Sequence, residues 1–111
     1  MVDHARPLVS IVIPTFNRSD TISRAIKSVL NQTYQEIEVI VVDDGSTDRT
    51  AEKLQEFAGR INVIYQRNKG PSSARNVGVN ASSGEIVSFL DSDDVWLPGK
   101  LAGQIELMQS K

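Results

Sequence analysis

The sequence predicts an α/β fold of three layers, α/β/α, with a mainly parallel sheet at the centre. Two observations carry this. Strand-length β-branched runs alternate along the chain with segments whose apolar residues recur at helical spacing. Those runs are apolar almost throughout, as strands are when helices cover both faces of a sheet. Length agrees: 111 residues with 40% hydrophobic content make one domain, residues 1–111, and exclude a disordered chain.

Each element has its own signature. Leu8 to Ile13 is a β-branched strand expected to stop at Pro14. Ile22, Ala25, Ile26, Val29 and Leu30 then recur at helical spacing, with Ser19 or Asp20 available as the cap. Ile37 to Val42 is the second strand. Ala51, Leu54, Phe57 and Ala58 mark a second helix closed by Gly59. Ile61 to Tyr65 is the third strand, and Lys69 to Ser73 is the most loop-like stretch. Ala74, Val77, Gly78 and Ala81 outline a third helix, and Ile86 to Leu90 the fourth strand. Beyond Pro98, Leu101, Ile105 and Met108 suggest a last helix, against which Trp96 packs the preceding loop. Crossovers in such a sheet are right-handed.

Composition excludes several classes of function. A net charge of −2 gives no global basic field for nucleic acid. Without cysteine there are no disulfides and no thiolate metal sites. The single histidine, His4, stands near the N-terminus, which removes a Ser/His/Asp triad and a His-rich zinc site. No apolar run reaches membrane length, and the first residues lack a signal-peptide core. A cytoplasmic location is expected, with a place at the cytoplasmic face of a membrane open to it. The Asn31-Gln32-Thr33 sequon is therefore disregarded.

The polar residues gather where the strands end. The first strand runs into Pro14-Thr15-Phe16-Asn17-Arg18, the second into Asp43-Asp44-Gly45-Ser46-Thr47-Asp48, the fourth into Asp91-Ser92-Asp93-Asp94. In an open parallel sheet that edge carries the ligand, at the point where strand order reverses. For an order 3-2-1-4 the reversal lies between the first and fourth strands. Pro14, Thr15 and Phe16 would then share a crevice with the Asp91 cluster, with Asp43 and Asp44 next door.

In extended chain Asp91 and Asp93 point to one side and repel unless a cation relieves them. Magnesium suits such a pair, because it keeps waters and shares its shell with substrate phosphates. The alternative is a solvated loop in which Asp93 or Asp94 caps the next helix. Asp43 and Asp44 read equally as a turn, with Ser46 or Thr47 capping the second helix, or as an acceptor for a nucleobase N–H. Phe16 suits a stacking platform or a core aromatic. Arg75, beside Asn76 near the start of the third helix, suits phosphate, a base edge or plain solvent. Arg18, Arg67 and Lys69 read as solvated. Neither a P-loop nor a G-x-G-x-x-G fingerprint is present.

Together these motifs resemble the nucleotide-binding half of the family 2 glycosyltransferases, which have the GT-A fold. The likeness rests on Val9 to Arg18, Ser28 to Tyr34, Val41 to Asp48, Gly70 to Gly78 and Phe89 to Pro98, in order and nearly covering the chain. It implies an inverting transfer of sugar from a nucleoside-diphosphate sugar, UDP-linked, to a hydroxyl acceptor, in polysaccharide or cell-surface glycan synthesis. It implies donor contacts from Pro14, Thr15, Phe16, Asn17, Asp43, Asp44, Arg75, Asp91, Ser92 and Asp93. Asp91-Ser92-Asp93 is similar to the metal-binding D-x-D motif, with Mg2+ or Mn2+ held by Asp93 and Asp94. The implied acceptor is a glycan or lipid-linked hydroxyl, bound by a second half that supplies the catalytic base beyond Lys111. On this reading the chain binds donor without turnover, and an uncovered sheet edge makes it self-associate. Two other readings stand beside it. One is a phosphoryl-accepting receiver module, although its aspartate pair would follow the first strand. The other is a non-catalytic module that binds nucleotide sugars.

Overall fold

Seven residues, Ile37–Asp43, form strand β2, and its side chains divide alternately between two cores. Val39 and Val41 join Val9, Ile11 and Ile13 in the larger core, while Ile40 and Val42 join Ala74 in the smaller one. That double burial is the reason the strand lacks polar alternation in sequence. The computed structural model describes residues 6–110; His4 lies outside them. Around β2 the chain runs β1 (Val9–Thr15), α1 (Ile22–Leu30), then after β2 α2 (Thr50–Gln55), β3 (Asn62–Tyr65), α3 (Pro71–Ala81), β4 (Ile86–Phe89) and α4 (Lys100–Gln109).

The sheet order is β3-β2-β1-β4, and each neighbouring pair is parallel. Ile22 and Ile26 of α1, Leu54 of α2, and Leu101 and Ile105 of α4 bury into the larger core. On the other face α3 supplies Ala74 and Val77. The chain adds β2 and β3 outward from β1, then returns past both to set β4 on the other edge of β1. Reversing direction with crossovers of one hand moves the connecting helix to the opposite face, which accounts for α3 standing apart. The reversal falls between β1 and β4, as expected.

Several local expectations change. β1 continues through Pro14 to Thr15. Val12 O accepts the Leu90 N–H on the β4 side and Thr15 O accepts the Asp44 N–H on the β2 side, so the imide nitrogen of Pro14 faces the β4 side. By then β4 has ended, and no ladder bond is lost. Neither Ser19 nor Asp20 caps α1: Thr21 takes that position with no side-chain cap bond, and its hydroxyl donates to Ser92 O at 3.0 Å. The helical part of the second apolar stretch stops at Gln55, and Ala58 is exposed. The stretch read as loop at Lys69 to Ser73 enters α3 at Pro71, because a proline at the first helical position loses no hydrogen bond. Met108 points outward, 54% exposed.

Trp96 packs as expected, buried beside Leu101 and Ile105, with the Lys100 ammonium 4.2 Å from its ring centre. Gln32, which the sequence marks only as part of a sequon, is a buried joint. Its Nε2 donates to Ser28 O and Leu97 O at 3.1 and 2.7 Å, and its Oε1 accepts the Leu101 N–H at 3.0 Å. It ties the end of α1 to the start of α4.

Gly78 sets how closely α3 lies on the sheet. A β-carbon there would fall 2.3 Å from Cγ1 of the fully buried Val12. Gly78→Ala is therefore expected to cost about 1–3 kcal/mol, read as a lower urea midpoint at unchanged slope. The double variant Val12→Ala/Gly78→Ala should lose less stability than the sum of the two single losses, because the overlap that Gly78→Ala creates disappears when Val12 loses its γ-carbons.

Candidate functional site

A difference in strand length opens the site. β4 pairs with β1 only as far as Val12↔Phe89, whereas β2 follows β1 to Thr15↔Asp43. The end of β1 thus loses its neighbour on one side. The notch is the head of a crevice of about 440 Å³ whose walls include Pro14, Thr15, Phe16, Asp44, Arg75 and the Asp91 loop.

Asp44 follows directly from the end of β2 and is buried. Its Oδ1 accepts Gln66 Nε2 at 2.8 Å and the Lys69 N–H at 2.7 Å; its Oδ2 accepts the Gly70 N–H at 3.0 Å. Burial pushes its carboxyl pKa up, but these donors and the Lys69 charge outweigh burial, so it lies below the usual carboxylate value. The bonds draw the segment from β3 to α3 over the end of β2. Gly45 permits that approach: it has φ +80°, and a β-carbon there would meet the Asn68 nitrogen at 2.8 Å. Asp43 serves the turn, its Oδ1 accepting the Ser46 N–H at 3.1 Å, and it does not line the crevice.

The loop after β1 is fastened to the loop after β2. Asn17 adopts φ 52°, a conformation asparagine tolerates. Its Oδ1 accepts the Thr47 and Asp48 N–H groups at 2.8 and 3.3 Å, and its own N–H donates to Ser46 Oγ at 2.9 Å. Asn17 thus latches the two loops together and stands outside the crevice walls. Neither Ser46 nor Thr47 caps α2; Asp48 Oδ1 accepts the Thr50 N–H at 2.9 Å instead. Phe16, by contrast, projects into the crevice 42% exposed, so it is not a core aromatic.

After β4 the chain turns rather than extends: the Asp94 N–H donates to Asp91 O at 3.0 Å. The turn still leaves Asp91 and Asp93 both on the crevice, with buried Ser92 between them held through its carbonyl by Thr21. Asp94 stands outside the lining. Arg75 lines the same crevice from α3. Sequence reasoning missed Arg18, whose exposed side chain also lines the crevice, and Asn68. It missed Gln66 as well. The signal for Gln66 was a lone amide directly after an edge strand, which is too common to use.

Thr15 is the chemically unfinished group. The residue is 3% exposed, lines the crevice, and its Oγ1 has no hydrogen-bond partner. A buried hydroxyl left so is costly unless a ligand completes it. For a metal, the donor set is hard oxygen. Among the described residues no group of three or more His, Cys, Asp or Glu gathers to hold an ion. Asp91 and Asp93 therefore fit magnesium or manganese, which complete their shells with water and phosphate oxygens, and fit no metal that needs a full protein cage.

Residues 10–111 match the model of glycosyl transferase family 2. The chain belongs to that family. It is 46% identical over 103 residues to the UDP-Glc:alpha-D-GlcNAc-diphosphoundecaprenol beta-1,3-glucosyltransferase WfgD of Escherichia coli, covering 91% of this chain and 41% of that protein. It superposes on S. aureus TarS 1-349 in complex with UDP-GlcNAc with a TM-score of 0.82 and 30% identity, over 93% of this chain and 31% of the other. Mannosyltransferase PcManGT from Pyrobaculum calidifontis, in complex with GDP-Man and Mn2+, aligns with a TM-score of 0.77 and 29% identity, over 82% and 29%. The chain thus spans about 41% or less of the length of these proteins, and its sheet is the GT-A glycosyltransferase fold of the structural neighbours.

Beside the Asn17 latch the Asp48 carboxylate makes an acid-sensitive link between the same two loops, its Oδ2 accepting the Ser19 N–H at 3.3 Å. Burial raises the Asp48 carboxyl, but donors from Thr50 and Ser19 outweigh it and bring the pKa from 3.8 down to about 2. A folded-state value below the unfolded one stabilises the fold above the unfolded pKa, and the contribution is lost as pH falls through the folded one. Between pH 3.8 and about 2, Asp48→Asn should lose less stability on acidification than the wild type. Urea midpoints followed by Trp96 fluorescence check this; parallel losses would contradict it.

Proposed function

We propose that this chain is the donor-binding part of an inverting glycosyltransferase, which moves a hexose from a nucleoside-diphosphate sugar, UDP-linked, to a hydroxyl of a glycan or lipid-linked acceptor in polysaccharide or cell-surface glycan synthesis. The observation that carries this is the crevice at the β1/β4 reversal. It sets an exposed aromatic, two arginines, three carboxylates and an unpaired buried hydroxyl around one volume. Phe16 offers its face for a base to stack on. Thr15 and Asp44 offer a hydroxyl and a carboxylate to the base edge. Asp91 and Ser92 lie toward the ribose and diphosphate, and Arg75 neutralises anionic charge from α3.

Asp93, with Asp91 or Asp94, would hold a divalent ion, Mg2+ or Mn2+; bound there, the ion neutralises charge that develops on the departing diphosphate. Asp94 stands outside the crevice lining, so the turn would have to move for it to take part. The acceptor hydroxyl attacks from the opposite face of the sugar. The base that takes its proton is proposed to lie in the length of the relatives that this chain does not span, since Glu106 sits exposed on α4. A cytoplasmic place, at the membrane face, follows from the acceptor class. Among the described residues no helix is long and apolar enough to cross a membrane. The receiver-module reading loses its support, because family membership is shown and Asp44 is already engaged by its loop.

Calorimetric titration with UDP, with and without manganese, tests the metal assignment. Manganese should tighten binding in the wild type. The Asp93→Ala/Asp94→Ala variant should lose most of that enhancement, and an unchanged affinity would refute the assignment. Separately, β4 is an edge strand whose last residue, Phe89, is 44% exposed. Sedimentation at several concentrations should show reversible self-association, and a monomer throughout would contradict it.

A further inference from the structure

We propose that Gln66, acting through Asp44 and together with Thr15, makes the crevice selective for a uracil-type base over guanine. This rests on the donor-binding reading above and adds to it the residue that sets the choice between bases. A carboxylate offers about four acceptor positions. On Asp44, Oδ1 already takes Gln66 Nε2 and the Lys69 N–H, and Oδ2 takes the Gly70 N–H. One position remains, on Oδ2.

Thr15 supplies the complement. Its carbonyl accepts the Asp44 N–H at 2.9 Å, so the two residues are neighbours across the strand ends. Its buried Oγ1 is without a partner, and both residues line the crevice. One open acceptor beside one open hydroxyl matches an imide edge, an N–H next to a carbonyl. Uracil presents that edge at N3–H and the adjoining C=O. Guanine presents it at N1–H and O6 but adds an amino group at N2, which needs the second carboxylate oxygen. That oxygen is filled, and an N–H left buried without an acceptor weakens binding by about tenfold or more.

Gln66 is the positioning residue in this scheme. It follows β3 directly, and its own N–H donates to Asp43 O at 2.9 Å, which fixes the backbone from which its side chain reaches back to Asp44. Of the groups on Oδ1 it is the one that a side-chain substitution can remove, because the Lys69 bond comes from the main chain.

The test is calorimetry of the full chain with UDP and with GDP, manganese present in both. UDP is expected to bind about tenfold or more tighter than GDP. Gln66→Met should bring the ratio toward unity by opening a position on Oδ1. Thr15→Val should lower UDP affinity about tenfold while leaving the melting temperature unchanged or raised, because the hydroxyl it removes has no partner within the fold. A purely structural role would move melting and leave affinity alone. GDP binding equal to or tighter than UDP binding, or a ratio that Gln66→Met leaves unchanged, would overturn the inference while donor binding stands. Failure of the wild type to bind either nucleotide would overturn the donor-binding reading and the inference with it.

Discussion

The carboxylate of Asp44 is the constraint on which the site depends. It sits at the end of β2, where the sheet stops offering backbone partners, and collects donors from Gln66, Lys69 and Gly70. That anchor, with the Gln66 N–H on Asp43 O, holds the segment from β3 to α3 over the end of the sheet. Pro71 and Arg75 thereby line the crevice with the loop after β1. The anchor also shapes chemistry, because each donor it accepts from its own loop is one fewer that a ligand can use.

A second constraint is the mismatch between β1 and β4. A sheet whose strands ended level would present a flat rim. Here β4 leaves β1 after Val12, and the turn from Asp91 to Asp94 bends its carboxylates around the gap. Pro14 belongs to the same arrangement: a residue that cannot donate stands where a donor would have no partner. The latch of Asn17 to Thr47 and Asp48 then holds the loops after β1 and β2 together from the outer side. Strand length, proline placement and loop fastening produce a crevice walled by side chains from distant parts of the chain.

The alternation of strands and helices and the parallel sheet were legible because burial on both sheet faces writes itself as apolar runs, and for an order 3-2-1-4 the reversal point follows from topology; which helix covers which face was not read from the sequence. Thr15, Phe16, Asp44, Arg75, Asp91, Ser92 and Asp93 were legible from their positions: they stand at strand ends on the side where ligands bind, or at the start of the helix that faces it. Other features were not legible. Asn17, Asp43 and Asp48 are polar residues in the same stretches, but they bond to backbone groups of their own turn or of a neighbouring loop, and composition does not separate an acceptor facing a ligand from one facing an amide. Gln32 and Gln66 act through partners 65 and 22 residues away, respectively, and no local pattern encodes such pairs. Pro14 misled as a strand stop because its effect depends on which neighbour it would have bonded to.

A structure of the chain crystallised with UDP and manganese tests the central claim most directly. The account predicts the pyrimidine between Phe16 and the α3 wall, its imide edge on Thr15 and Asp44, and the diphosphate reaching toward Asp91 and Asp93 with the ion between them. A nucleotide seated elsewhere, or one in the crevice whose base makes no contact with Thr15 or Asp44, would contradict it.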